Sequence, residues 1–331
     1  MSLWNNAYVL AIRVTSPGGP EKLVAAHVEL PDLGPDEVRV DVLHAGVNFW
    51  DVMQRRGSVP LPKSQIPGVE GAGHVRAIGP GVQGLVPGQL VAWSKVSGSY
   101  AQQVQGPHDW FVPVPERLTA EAAAAALMQG TTAWYLAHDV LPLQAGDSAV
   151  VFAAAGGVGQ MLTQMLTSRG IHVLGVVGPV SSAPKVQVAR DSGAIGVVIE
   201  GDTLLEDIRR YLPEGATAVF NANGGEQALH NLDMLGTRGT VVYYGTTSGP
   251  LPSLDLGRLS RGSLAVRRVR GADYLGSPGA WRNSAEQVLN HVADGRLRVR
   301  IDTRAGLAHV PILHERMESR ANIGKLLIDV A

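Results

Sequence analysis

Ser148-Ala-Val-Val-Phe-Ala-Ala-Ala-Gly-Gly-Val-Gly159 is the stretch from which the rest of the chain can be read. Ser148 to Ala153 is an apolar run of strand character, and Gln160 to Arg169, beyond the glycines, reads as a helix. A strand, a glycine turn and a helix start bring backbone N–H groups and the positive end of a helix dipole to one spot, which makes a seat for a diphosphate. Residues 154–159 match the dinucleotide-binding fingerprint, with Ala154 where its first glycine belongs. Ala155, Gly156, Gly157 and Val158 are the candidate contacts; Gly156 permits close approach of the diphosphate and Gly159 close packing of helix on strand. The plain alternative is a glycine-lined helix start in an ordinary α/β protein.

Working outward, apolar strands recur at His172–Val177, Gly196–Ile199, Ala216–Asn221 and Thr240–Tyr244, with the intervening stretches read as helices. Such alternation implies right-handed crossovers and a doubly wound parallel sheet. Upstream the character differs. Val38-Arg-Val-Asp-Val-Leu43 and Gly73-His-Val-Arg-Ala-Ile78 alternate with period two and are broken by turns such as Gly79-Pro-Gly-Val82, so about residues 1–120 form a β-leaning unit. Thr119 is the N-cap candidate for the helix-favouring Ala120-Glu-Ala-Ala-Ala-Ala-Ala-Leu-Met128. After about residue 270 come a helical stretch around Trp281–Ala293, two short strands and a final helix–strand piece ending in Lys325-Leu-Leu-Ile328. This tail is too small to fold alone and is expected to return to the first domain.

About 20 residues past the glycine turn, a chain built for NAD places an acid on the ribose diol. Here that region reads Val177-Gly-Pro-Val-Ser-Ser182, then Lys185. With no acid to repel a 2′-phosphate, and with Ser181, Ser182 and Lys185 to bind one, NADPH is favoured over NADH. Lys185 as a simple surface residue is the bland alternative.

The 331 residues hold 45% apolar and 17% charged residues, enough core material for about two domains. A net charge of −1 gives no electrostatic footprint for nucleic acid or an anionic membrane. The basic run Arg267-Arg-Val-Arg270 reads as a solvated face. No segment reaches the roughly 18–20 apolar residues of a membrane span, and the start lacks the features of a signal peptide, so a cytoplasmic protein is expected. Zero cysteines exclude disulfides, iron–sulfur clusters and thiolate zinc sites.

Six blocks in order then resemble the medium-chain dehydrogenase/reductase superfamily, in its zinc-independent quinone oxidoreductase branch. They are Gly46-Val-Asn-Phe-Trp-Asp51, Pro67-Gly-Val-Glu-Gly-Ala-Gly73, Gln129-Gly-Thr-Thr-Ala133, Ala153–Gly159, Tyr244-Gly-Thr-Thr-Ser-Gly-Pro250 and Glu318-Ser-Arg-Ala-Asn-Ile-Gly-Lys325. The resemblance implies an α/β chain in which a Rossmann domain, residues 126–269, is inserted into a GroES-like mainly-β substrate domain made of residues 1–125 and 270–331, with the active site in the cleft between them. It implies a homodimer. The catalytic Cys of the zinc-dependent branch is replaced by Asn48 and its His by Val69, so no metal is expected, and substrates that accept hydride without a Lewis acid, quinones or α,β-unsaturated carbonyls, fit best.

The resemblance puts Asn48 and Thr132 near the nicotinamide, Asn48 being the candidate catalytic residue. Lys185 and Arg320 would lie near the 2′-phosphate, and Asn223, Gly245 and Thr246 along the cofactor. Each has a structural alternative: Asn48 with Asp51 as a helix-start cap, Thr132 as a helix-start hydroxyl, Arg320 as a solvated helix charge. Tyr100 and Tyr274 are candidates for the cleft or ordinary core tyrosines, and Glu70 an orienting carboxylate or a strand-end residue. Three departures stand out. Met53 and the Glu200–Gly201 region each replace a tyrosine of the branch, and the loop from Gly178 to Pro184 is longer. An enoyl-thioester reductase and a cofactor-binding protein with little turnover are the alternative functions.

Overall fold

The computed structural model describes residues 8–180 and 182–330. In chain order the first part carries β1 (Tyr8–Val14), β2 (Leu23–Glu29), β3 (Glu37–Val47), α1 (Phe49–Arg56), β4 (Gly71–Ile78), β5 (Leu90–Trp93), β6 (Gln103–Pro107) and β7 (Val112–Pro113), followed by α2 (Ala120–His138). The middle carries β8 (Ser148–Phe152), α3 (Gly157–Ser168), β9 (His172–Val177), α4 (Ser182–Asp191), β10 (Gly196–Ile199), α5 (Leu204–Tyr211), β11 (Ala216–Asn221), β12 (Leu235–Tyr243), β13 (Ala265–Arg268) and α6 (Gly271–Tyr274). Last come α7 (Pro278–Ala293), β14 (Ile301–Gly306), α8 (Val310–Glu318) and β15 (Lys325–Asp329). Two compact units result: one from the described residues up to Thr131 together with those from Ser277 onward, the other from Thr132–Gly276.

The two-part unit is built around β3. Its alternation turns Val38, Val40 and Val42 into the core while Arg39 and Asp41 stay at the margin, as a half-buried strand requires. The strand order is β14-β15-β3-β4-β5-β7, with β6 also pairing with β3. β15 lies antiparallel to β3, Leu326 against Val47 and Ile328 against Ala45, and parallel to β14. The helix α7 is fastened to the same unit by Trp281, whose indole N–H donates to Ser94 Oγ at 2.9 Å and whose ring lies 5.6 Å from that of Trp110.

The contiguous unit is a six-stranded, all-parallel sheet in the order β10-β9-β8-β11-β12-β13. The order reverses at β8, the first strand, which is where doubly wound sheets bind ligands at their carboxyl ends. Its buried faces explain the unbroken apolar runs: Ala149, Val150, Val151, Val173, Leu174, Val219 and Phe220 are all inaccessible to solvent.

The structure corrects four local expectations. The segment before β12 is a 3-10 helix, Glu226–Met234, because Gly224 and Gly225 both adopt positive φ and delay a regular start. The tail has one strand between α7 and α8, not two; Arg296–Arg300 alternates in sequence, but the Leu297 N–H is drawn back onto the His291 carbonyl in a turn. Thr132 is not a helix-start hydroxyl, since α2 begins at Ala120, capped by Thr119 Oγ1 on the Ala122 N–H at 3.2 Å, and runs through Gly130. The third helix starts at Gly157, so the fingerprint glycines form its first turn.

Candidate active site

In the contiguous unit the chain turns at Ala153, which takes φ of 50°, and the Gly156 N–H closes the turn on the Ala153 carbonyl at 2.8 Å. Gly156 is the N-cap of α3 and no side chain caps the helix. Gly157 and Val158 follow in the first turn, whose N–H groups lie beyond reach of any carbonyl of their own helix. Of the expected contacts, therefore, Gly157 and Val158 keep outward donors, whereas Gly156 spends its own inside the turn. The Ala155 carbonyl accepts from Gln160 Nε2 at 2.7 Å, which pins the loop to the helix. A Cβ on Gly159 would overlap the Ala153 carbonyl and come within 2.8 Å of Ala154 Cα. Gly159→Ala should accordingly cost about 1–3 kcal/mol, while Gly201→Ala, with nothing within 4 Å of its Cβ position, stays within about 0.5 kcal/mol. Denaturant unfolding of the two variants checks the contrast.

The loops that follow the strands converge. Asn223 donates through Nδ2 to Glu200 Oε1 at 3.4 Å and accepts from Thr247 Oγ1 at 3.3 Å, while its carbonyl takes the Ser248 N–H at 2.6 Å. Gly245 and Thr246 lie beside them: a Gly245 Cβ would sit 2.6 Å from the Ala222 carbonyl, so the close approach of these two loops requires glycine. Lys185, in the first half of α4, is 7% exposed, against the surface reading of it. Ser181 lies outside the described residues.

One expectation is overturned here. The register of β9 on β10 sets Ile199 opposite Val177, and the Glu200 N–H bonds the Val177 carbonyl at 2.9 Å. Glu200 is thereby carried beside Gly178, and its Oε2 is the atom a Gly178 Cβ would meet, at 3.7 Å. An acid does face the end of the second strand, supplied by the neighbouring strand; only the sheet order, not the local sequence, could have found it.

The two-part unit holds a buried polar centre at the N-terminus of α1. Asn48, 7% exposed, is the N-cap residue, and Asp51 Oδ2 accepts the Asn48 N–H at 2.9 Å, the third-residue half of a capping box. The Asn48 side chain faces the other way, donating through Nδ2 to Glu70 Oε2 at 3.0 Å and accepting through Oδ1 from Lys325 Nζ at 2.7 Å. A carboxylate can only accept and an ammonium can only donate, so the amide orientation is fixed. Lys325 also bonds Glu70 Oε2, and Glu70 Oε1 accepts the Met128 N–H at 2.6 Å. Glu70 and Lys325 are inaccessible to solvent. Glu70 is an orienting carboxylate, and Asn48 is both a cap and the arm of this ion pair.

Beyond Asp51 the polar centre continues. The Tyr100 hydroxyl donates to Asp51 Oδ2 at 3.0 Å and meets His314 Nε2 at 3.1 Å. Since its one proton goes to Asp51, His314 must present Nε2–H, leaving Nδ1 bare. Asp51 Oδ1, Arg55 Nε and His314 Nδ1 are buried without a hydrogen-bond partner. Burial accordingly pushes the Asp51 carboxyl up to about 7, against its bonds from Asn48 and Tyr100 and the charge of Lys325. Burial, aided by the Arg55 charge, lowers His314 to about 3. The Tyr100 hydroxyl is raised well above its ordinary value by burial and by Asp51. Arg55 forms a fork on Glu318, Nη1 at 3.1 Å and Nη2 at 2.5 Å; burial would raise Glu318, but Arg55 and Arg56 together hold it below its ordinary value.

Other candidates lie elsewhere. Tyr274 stacks on Tyr135 with ring centroids 4.8 Å apart in the contiguous unit. Arg320 is exposed just past α8, with φ of 56°. Arg267 and Arg268 donate to backbone carbonyls and Arg270 pairs with Asp273, so the basic run is largely occupied by the chain itself. Among the described residues no three His, Asp or Glu side chains gather as a metal cluster, and no helix is long and apolar enough to cross a membrane.

Two family profiles match: "Alcohol dehydrogenase GroES-like domain" over residues 34–116 and "Zinc-binding dehydrogenase" over residues 157–291. Together with a GroES-like mainly-β domain and a Rossmann-type parallel sheet, they define an oxidoreductase of the medium-chain dehydrogenase/reductase class. A probable quinone oxidoreductase of Schizosaccharomyces pombe is 31% identical over 96% of this chain and 96% of its own. The structure of Escherichia coli quinone oxidoreductase complexed with NADPH superposes with a TM-score of 0.91 at 29% identity, covering 97% of this chain and 99% of that one. A mycobacterial protein, also complexed with NADPH, gives 0.91 at 31% identity, covering 97% and 99%. The chain belongs to the quinone oxidoreductase branch of the medium-chain dehydrogenase/reductase superfamily.

Proposed function

We propose that the chain is an NADPH-dependent reductase that delivers hydride to a quinone or to the activated C=C bond of an α,β-unsaturated carbonyl compound. The observation that carries this reading is the uncapped first turn of α3, where Gly157 and Val158 offer N–H donors at the switch point of a parallel sheet. When bound, the reduced nicotinamide supplies the hydride. The chain's part is to hold and orient: Ala155, Gly156, Gly157 and Val158 at the diphosphate, Asn223, Gly245 and Thr246 along the cofactor, Asn48 and Thr132 at the nicotinamide, and Ser181, Lys185 and Arg320 toward the 2′-phosphate. Asn48 suits its role because Glu70 and Lys325 fix its amide.

Asn48 and Val69 stand where the zinc-dependent branch has ligands, so a substrate that accepts hydride at carbon without a polarised carbonyl fits the site. We assign residues 1–125 and 270–331 to the substrate domain, residues 126–269 to the cofactor domain, and the active protein to a cytoplasmic homodimer. Oxidation of NADPH against a panel of quinones, enones and enoyl thioesters tests the reaction; no turnover with any of them overturns it. For the cofactor, Lys185→Ala should weaken NADPH about ten- to hundredfold, the worth of one charge-assisted hydrogen bond, and leave NADH within about threefold. An equal loss for both nucleotides would remove Lys185 from the 2′-phosphate site.

A further inference from the structure

We infer that Glu200 is a specificity-determining residue that opposes the 2′-phosphate and accepts the ribose hydroxyls, so that the chain also takes NADH and prefers NADPH only weakly. The inference rests on the dinucleotide reading above. In a sheet of this type the adenosine ribose lies at the end of the strand after the phosphate turn, where an acidic residue bonds the 2′-hydroxyl. That strand is β9, and the residue directly after it is Gly178, which has no side chain to offer. The side-chain atom that comes within 4 Å of the missing Cβ is Glu200 Oε2, at 3.7 Å. Its placement is built rather than accidental. The Glu200 backbone is locked to Val177 by the ladder bond at 2.9 Å, and the carboxylate is tied through Oε1 to Asn223, on the loop after β11.

β11 is separated from β10 by β9 and β8 in the sheet order, so the Glu200–Asn223 hydrogen bond joins loops on either side of β9 and of β8, the strand that leads into the phosphate turn. A carboxylate there can accept from a ribose hydroxyl and meets a 2′-phosphate as a like charge. Lys185 is the cation that the 2′-phosphate would use in spite of it, so the two residues pull cofactor choice in opposite directions.

The test uses the full-length protein, with 2′,5′-ADP and 5′-ADP as probes and calorimetric titration as the readout, so that no turnover is required. Glu200→Gln keeps the size and the Asn223 contact while removing the charge. It should tighten 2′,5′-ADP about ten- to hundredfold, the scale of a like-charge contact a few ångströms away near a protein surface, and leave 5′-ADP unchanged or up to severalfold weaker. Unchanged thermal unfolding of the variant shows that the fold is intact. If both probes bind the wild-type protein and their ratio is the same in Glu200→Gln, the role of Glu200 is overturned and the dinucleotide reading stands. Should neither probe bind wild type at millimolar concentration, both fall together.

Discussion

Lys325→Met is expected to cost about 3–5 kcal/mol, because it leaves the Glu70 carboxylate buried without its counter-charge. Both groups are wholly inaccessible to solvent, and Asn48 Oδ1 loses the Lys325 donor at the same time. Glu70→Gln should be costly for the reverse reason, an ammonium left with Asn48 as its neutral acceptor. The double variant should then cost clearly less than the two single costs added, since each removes a charge that the other had stranded; a coupling of at least about 2 kcal/mol lies within the range for directly bonded residues. Urea unfolding of the four proteins measures it. Strictly additive costs would show that the pair contributes no more than its separate volumes.

The second large effect is hidden in the wild-type protein. Asp51 is raised from 3.8 to about 7, mainly by burial, so between those values the folded chain keeps a proton that the unfolded chain releases. Its contribution to stability is complete below about pH 4 and is lost as pH rises toward 7. His314 is lowered from 6.5 to about 3, again mainly by burial, so the unfolded chain gains a proton that the folded one refuses; that contribution is complete above pH 6.5 and is lost as pH falls toward 3. Each amounts to about 4–5 kcal/mol across its window, with opposite sign, so from about pH 4 to 6.5 they cancel. Asp51→Asn should expose a stability that climbs with pH by about 1.4 kcal/mol per unit, and His314→Gln one that falls by the same slope. Unfolding midpoints at pH 4.5, 5.5 and 6.5 decide it; two variants with the flat wild-type profile would mean that neither group is shifted as its surroundings require.

What could be read beforehand divides along the range of the interactions. The phosphate turn was legible because strand, glycines and helix are adjacent, and because backbone geometry rather than side-chain identity makes the seat. The centre formed by Asn48, Glu70 and Lys325 was not, although each lies in a block that marks the family: the bonds join residues 22, 255 and 277 positions apart. Asp51 was visible only as a capping partner, and nothing local announced that Tyr100 and His314 would close around it. Glu200 is hidden for a different reason: the acid belongs to the strand beside β9 in the sheet, and only parallel pairing puts the two ends side by side. Arg296–Arg300 shows the converse, alternation in sequence without a partner strand to receive it.

The antiparallel seat of β15 on β3 also sets an order of events during synthesis. Residues 132–276 are contiguous, so the parallel sheet has all its strands once Gly276 has left the ribosome. The other unit begins first and finishes last: its central strand lacks a neighbour, and Glu70 its counter-ion, until Lys325 emerges 255 residues later. The segment made first has β15 beside β3, and a counter-ion for Glu70, only once the last-made strand is available. An unpaired strand edge is the kind of surface that exposes an incomplete chain to aggregation, and here the last strand of the sequence is the one that covers it.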